Sequence, residues 1–168
     1  MIAHIDLARS RVEFSVRHLM ITTVRGRFTD FAGDVVYDVE EPVLSSVEAR
    51  IRVSSITTGD RERDAALLSA DFLNVAAYPE IVFRSRRIQP LAADRGRLTG
   101  DLTIRDLTRR VTLEARLLER TDDRARIAAT TAINRKEWGL TWGPALETAG
   151  VLVGDEITVS LLVEIVEE

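Results

Sequence analysis

Apolar and polar residues alternate with a period of two over most of this chain. In residues 11–21, Val12, Phe14, Val16, His18 and Met20 fall on one face, and Arg11, Glu13, Ser15 and Arg17 on the other. Successive side chains in a strand point to opposite sides, so this is a strand with one dry face and one wet face. Val47, Ala49, Ile51 and Val53 alternate in the same way with Glu48, Arg50 and Arg52. Further strands are predicted over 34–39, over Glu80–Ile88, through Leu98, Gly100, Leu102 and Ile104, and through Val111, Leu113, Ala115 and Leu117. Ala125, Ile127, Ala129, Thr131 and Ile133 mark another, and a last strand turns Ile157, Val159, Leu161, Val163 and Ile165 inward. Gly26 and Gly33 read as bends, and Pro42 as a break. Pro90, Asp94 and Gly96 read as a turn region, Asp106-Leu107 as a tight connection and Asp122-Asp123 as a hairpin tip.

One stretch breaks the alternation. Between Ser54 and Ser85 the spacing of Ala65, Leu68 and Phe72 predicts a helix from Asp60 to about Ala70, with those three residues inward. Asp60 is its predicted cap, and Glu62 and Asp64 add negative charge at the positive end of the helix dipole. Pro79 ends this segment and Ile81, Phe83 and Ser85 begin a strand. A lone helix plugging or lidding one end of an all-β body is the simplest picture.

About eight antiparallel strands, each dry on one face, form either a closed barrel or a two-sheet sandwich. Strands of about ten residues span roughly 33 Å, which is long for a sandwich core. About eight is also the number at which a barrel either fills itself or holds one small ligand. Small inward residues, Ala49, Ser85, Gly100, Ala115 and Ala129, leave either a cavity or space covered by larger neighbours. An empty apolar cavity costs about 24 cal/mol per Å³, so a long apolar ligand is a reasonable occupant.

Composition narrows the classes. A length of 168 residues suits one domain, 1–168, and a 45% hydrophobic share is enough for a core. No apolar run approaches the roughly 20 residues that span a bilayer. The start, MIAHIDLARSRVEF, lacks the basic-then-apolar pattern of a signal peptide, which points to a cytoplasmic protein. Without cysteine there is no disulfide or thiol chemistry. A net charge of −4 speaks against general nucleic-acid binding, and Lys136 is the only lysine among many arginines.

Catalytic signatures are missing. There is no Gly-x-Ser-x-Gly elbow, Gly-rich phosphate loop or His-x-x-x-His pair, and His4 and His18 are far apart. The expectation is no catalytic residue, no metal and no required cofactor. His18, on an apolar face, is either a hydrogen-bonded core residue or a ligand contact. Asn134 and Arg135 end a strand beside a loop with Trp138 and Trp142. An arginine there clamps a phosphate or stacks on a ring; the plainer alternative is a rim arginine paired with a surface carboxylate. The tryptophans either line a barrel mouth or cap its core. The Arg84-Arg86-Arg87 and Arg109-Arg110 clusters read as solvated strand faces, with attraction to an anionic membrane as the weaker alternative.

Five segments in order resemble one family. They are Phe14-Ser15-Val16-Arg17-His18-Leu19; Thr58-Gly59-Asp60 through Ser69-Ala70-Asp71-Phe72 and Tyr78-Pro79 to Phe83-Arg84-Ser85; Gly100-Asp101-Leu102-Thr103-Ile104-Arg105 with Thr108 and Val111-Thr112-Leu113; Ile133-Asn134-Arg135 with Trp138-Gly139-Leu140; and Glu147-Thr148 with Gly150-Val151 to Asp155-Glu156-Ile157. Together they resemble the YceI-like, polyisoprenoid-binding family over essentially the whole chain. Arg9 and Ala66 stand where that family often has histidine, and Asp106 and Arg110 replace a glycine and a proline. The first two departures bear on which polar head group is recognised.

The resemblance implies an all-β, antiparallel, lipocalin-like barrel of about eight strands with one short helix. It implies non-catalytic binding or carriage of a long isoprenoid, either a polyprenyl chain or an isoprenoid quinone. Each buried CH₂ contributes about 0.8 kcal/mol, so the chain supplies affinity and polar groups set the head-group preference. Phe14, Phe72, Phe83 and Trp138 are the expected wall contacts, with the helix controlling access. His18 at the polar end and Arg135 in the loop are the expected head-group contacts. Val16, Met20, Leu102, Asn134 and Trp142 complete the expected ligand-binding set. The expected partners are an isoprenoid lipid, a transient membrane contact and no nucleic acid, and a homodimer is compatible with every reading. Two alternatives stay open. One is an enzyme on an apolar substrate, using His18 with Asp6 or Asp71. The other is an interaction protein with a filled core, associating through a sheet edge or the apolar surface near Leu140–Leu146.

Overall fold

The computed structural model describes residues 2–18, 22–38, 40–141 and 154–168, with backbone alone at His18 and Thr22. The strands are β1 (Ile2–Ile5), β2 (Arg11–His18), β3 (Thr22–Phe28), β4 (Phe31–Val36), β5 (Ser46–Arg52) and β6 (Ile56–Thr57). After the helix α1 (Arg61–Leu68) come β7 (Glu80–Ala92), β8 (Arg95–Ile104), β9 (Leu107–Arg120), β10 (Arg124–Asn134) and β11 (Glu156–Glu167). All pairings are antiparallel. The order β1-β4-β5-β7-β8-β9-β10-β11 closes through β1–β11, giving an eight-stranded barrel. β2, β3 and β6 extend that wall: β2 continues β1 along β11, β3 pairs with β2, and β6 pairs with β3. Closure removes the free edges that an open sheet of this size would expose.

Most strand limits follow the alternation, and the differences have physical reasons. Gly26 and Gly33 lie inside β3 and β4, beneath the side chains of Phe14 and Ile5. The break between those strands is at Thr29-Asp30 instead, where Thr29 N–H turns to the Ser55 carbonyl at 3.2 Å. β7 runs through Pro90, which pairs with Gly96 beside a register shift, so the expected turn region shrinks to Ala93-Asp94. Proline is tolerated in a strand next to such an irregularity.

The helix forms where expected and ends earlier. Asp60 caps it, its Oδ1 accepting from Arg63 N–H at 3.1 Å. Asp64 Oδ1 accepts from both Thr58 N–H (2.9 Å) and Thr58 Oγ1 (2.5 Å), and Arg63 Nε donates to the same hydroxyl at 2.8 Å. This network ties the first turn to the end of β6. The inward face differs from the expected one. Ala66 and Leu67 are buried, Leu68 is half-buried and Ala65 is exposed, while Phe72 is buried as expected. With only eight residues, α1 is oriented by its anchors at both ends more than by an apolar stripe.

Candidate functional site

The ladders stack the inner side chains in belts. One belt runs Gly100–Val111 on β8 and β9 and, starting from the neighbouring strand β10, Ile133–Ile157–Val16–Val24. Gly100, Val111, Ile133 and Val16 in it are all buried. Leu67, Phe72 and Leu73 from the helical segment join the same core cluster, with Trp138 and Leu140. This end is plugged.

Two inward positions back along β8, toward Arg95, the picture changes. Here the ladder runs Gly96–Ala115–Ala129–Leu161–Val12–Phe28. Three small residues stand side by side; Ala129 and Val12 are buried, but Ala115, Leu161 and Phe28 are only half-buried although they face inward. The intervening belt contains Leu98, Val159 and Phe14, again half-buried. In a filled core such central positions would be dry. Solvent therefore reaches an apolar inner wall.

The expected site residues divide between wall and scaffold. Phe14 lies against Phe28, ring centroids 5.7 Å apart and tilted at 47°. Phe83 and Leu102 face each other in the β7–β8 ladder and are half-buried. Val16 and Phe72 belong to the plugged end, and Phe72 also accepts Arg105 Nη1–H through its carbonyl at 2.9 Å. His18 ends β2 opposite Thr22; its side chain, Met20 and Trp142 lie outside the described residues.

Trp138 caps the core. It is 1% exposed, and its indole N–H donates to the Leu102 carbonyl at 2.9 Å. Asn134 faces outward, exposed, and its Oδ1 caps the short 3-10 turn Arg135–Trp138 by accepting from Lys136 N–H at 3.0 Å. Its side-chain oxygen is thus engaged as a turn cap.

Arg135 is buried, also at 1% exposure. It donates to the Gly154 carbonyl (3.1 Å), the Leu140 carbonyl (2.5 Å) and Asp155 Oδ1 (2.9 Å). Burial lowers its pKa from the usual arginine range, and Asp155 opposes the shift. It pairs with an exposed carboxylate, as the plainer sequence alternative has it, but from a buried position and not from a rim. Its guanidinium ties the loop after β10 to the start of β11. Gly139 closes the same turn at φ +71°, a conformation that favours glycine, and a Cβ there would sit 3.3 Å from Arg105 Nη2.

The arginine clusters are solvated as expected. Arg86 and Arg110 converge on Asp101 from both sides, at 2.6 and 3.1 Å, and Arg84 lies 3.5 Å from Glu48. The Arg86 hydrogen bond, reinforced by Arg110, holds the Asp101 carboxyl below its ordinary range. Among the described residues no group of three or more His, Asp or Glu side chains could hold a metal ion.

A family model described as the YceI-like domain matches residues 4–165. The chain belongs to the YceI-like family. Protein YceI of Escherichia coli O157:H7 is 36% identical over 152 residues, 86% of this chain and 79% of the relative. A UPF0312 protein of Pseudomonas aeruginosa (strain LESB58) is 33% identical over the same shares. Among solved structures, BcnA of Burkholderia cenocepacia matches with a TM-score of 0.85 at 24% identity, covering 95% of this chain and 98% of that one. A polyisoprenoid binding domain from Saccharophagus degradans, implicated in plant cell wall breakdown, matches at TM-score 0.76 and 12% identity over 99% and 98%. At these identities the two structures establish the shared barrel.

Sequence reasoning missed the strands β1, β3 and β6, of which β1 closes the barrel, and two further features of this YceI-like fold. One is Asp155 as the partner of Arg135, twenty positions away. The other is the break in the wall at Leu7–Arg9, where the 3-10 turn interrupts β1 and β2. The signal for it was present, because Asp6-Leu7-Ala8-Arg9-Ser10 does not alternate.

Proposed function

We propose that this YceI-like protein binds a long isoprenoid, a polyprenyl chain or an isoprenoid quinone, inside its barrel without altering it chemically. The observation that carries this is the half-buried apolar inner wall. Phe14, Phe28, Leu98, Ala115, Val159 and Leu161 face inward and remain accessible, while the helix end is plugged. A chain lying along this wall would remove apolar surface from water at about 25 cal/mol per Å². Family membership and a neighbouring structure described as a polyisoprenoid binding domain support the reading.

Affinity then scales with chain length and depends little on chain identity. The test is titration of delipidated protein with isoprenoid quinones of increasing tail length. One-to-one saturation that tightens with length is expected. No saturable binding at any length would overturn the reading.

A further inference from the structure

The barrel wall is interrupted on one side. β1 pairs with β4 as far as His4–Asp34, and β2 pairs with β3 from Val12–Phe28 onward. Between those ladders residues 5–11 face 29–33 without strand pairing. The chain turns there through Leu7–Arg9, and buried Ser10 fixes the turn by accepting Glu164 N–H on its Oγ at 2.9 Å. A groove of about 170 Å³ opens in this gap. Leu7, Arg11 and Arg27 form its exposed lip, and Val12, Phe28 and Phe31 line it below.

Two observations combine here. Val12 and Phe28 belong to the belt with the small residues Gly96, Ala115 and Ala129, and Phe28 touches Phe14 inside the barrel. The groove thus adjoins this belt of the inner wall. Second, neither Arg11 nor Arg27 makes an ion pair or a side-chain hydrogen bond among the described residues. Glu13 stands across the ladder from Arg27 without pairing to it. Glu164, bound to Ser10 through its N–H, is held by Arg124 at 2.9 Å and Arg9 at 3.5 Å, and Asp30, next to Thr29, lies 3.5 Å from Arg52. Two guanidinium groups without a close ion pair among the described residues, over an apolar floor, suit one kind of occupant: an anionic head group attached to an apolar chain.

Resting on the proposed function, we infer that this side groove receives the anionic head group, phosphate or carboxylate, of a lipid whose chain lies in the barrel. The groove has room for a head group and not for the chain. Head-group preference is then set by Arg11 and Arg27 at the side of the barrel.

The test compares octaprenyl monophosphate with the matching octaprenol on the full chain. Wild type should bind the phosphate about tenfold tighter, the scale of a charge-assisted hydrogen bond. The Arg11→Gln/Arg27→Gln variant should bind both probes nearly equally, with octaprenol affinity unchanged. Arg11→Lys/Arg27→Lys should keep most of the preference. A preference that survives in the glutamine variant overturns the inference while leaving the barrel reading intact. Failure of wild type to bind either probe overturns the barrel reading and this inference with it. Should the double variant fail to fold, the two single glutamine variants carry the same comparison, each expected to lose part of the preference.

Discussion

The ring of Phe83 lies over Gly100 on the neighbouring strand, where an added Cβ would stand 2.5 Å from the ring Cζ. Phe14 covers Gly26 in the same manner on the other side of the barrel. The inner space left by these two glycines is thus filled by aromatic rings, and the half-buried rings of Phe14 and Phe83 themselves form part of the wall.

The two glycines differ in what else surrounds them. At Gly100 the Cβ would also meet the Arg84 carbonyl oxygen at 2.5 Å, whereas at Gly26 the three nearest atoms all belong to the Phe14 ring. Gly100→Ala should destabilise by about 1–3 kcal/mol, and adding Phe83→Leu should restore only part of it. Gly26→Ala should cost less and be largely restored by Phe14→Leu. Urea unfolding of the four variants checks this; full rescue of Gly100→Ala would show that the backbone contact yields.

The anchor of α1 predicts a local loss. Asp60→Ala removes the cap on Arg63 N–H and should cost about 1 kcal/mol. Asp64→Ala breaks two hydrogen bonds to Thr58 at once and should cost more. Hydrogen exchange in residues 61–68 should rise in both. Unchanged protection would mean that burial of Ala66 and Leu67 alone holds the helix.

Arg135→Ala strands the buried carbonyl of Leu140 and releases Gly154. A loss of about 1–3 kcal/mol per unsatisfied carbonyl is expected. Arg135→Lys should recover only part, because an ammonium lacks the planar fork that reaches several acceptors. Melting temperature reports the loss. If Arg135→Ala kept its stability and lost lipid binding alone, the residue would be a ligand contact and not a clamp.

Asp101 gives a pH dependence with a definite sign. Its folded pKa is depressed, first by the Arg86 hydrogen bond and then by Arg110. A depressed carboxyl stabilises the fold above its unfolded value of about 3.9, and the contribution is lost as pH falls through the folded value. Asp101→Asn should therefore melt lower than wild type at neutral pH, and the gap should close below about pH 4. A gap that persists unchanged in acid would assign the loss to packing.

Much of this fold is written in the period-two pattern because a barrel wall keeps one face dry along every strand. That constraint made the alternating stretches of β5, β9, β10 and β11 legible, although Val53 falls in the 3-10 turn after β5 and β9 already begins at Leu107. The helix was legible through Asp60, a local signal, but its inward face was not. Ala65 and Ala66 are chemically alike, and the side that is buried depends on side-chain ties such as those of Asp64 and Arg63 to Thr58. Gly26 and Gly33 misled because a strand glycine under a neighbour's side chain looks the same in sequence as a bend. The site was legible as a set of inward apolar residues. The roles of Asn134 and Arg135 were not, since they depend on Lys136 N–H and on Asp155 arriving from β11's side of a loop.

The central claim is that the barrel holds an isoprenoid. Mass spectrometry on an organic extract of the purified protein, beside a protein-free control, tests it most directly. A stoichiometric isoprenoid species absent from the control is the predicted result, and it would identify the ligand as well. Purified protein that yields no lipid, and acquires none after incubation with a total bacterial lipid extract, would contradict the account.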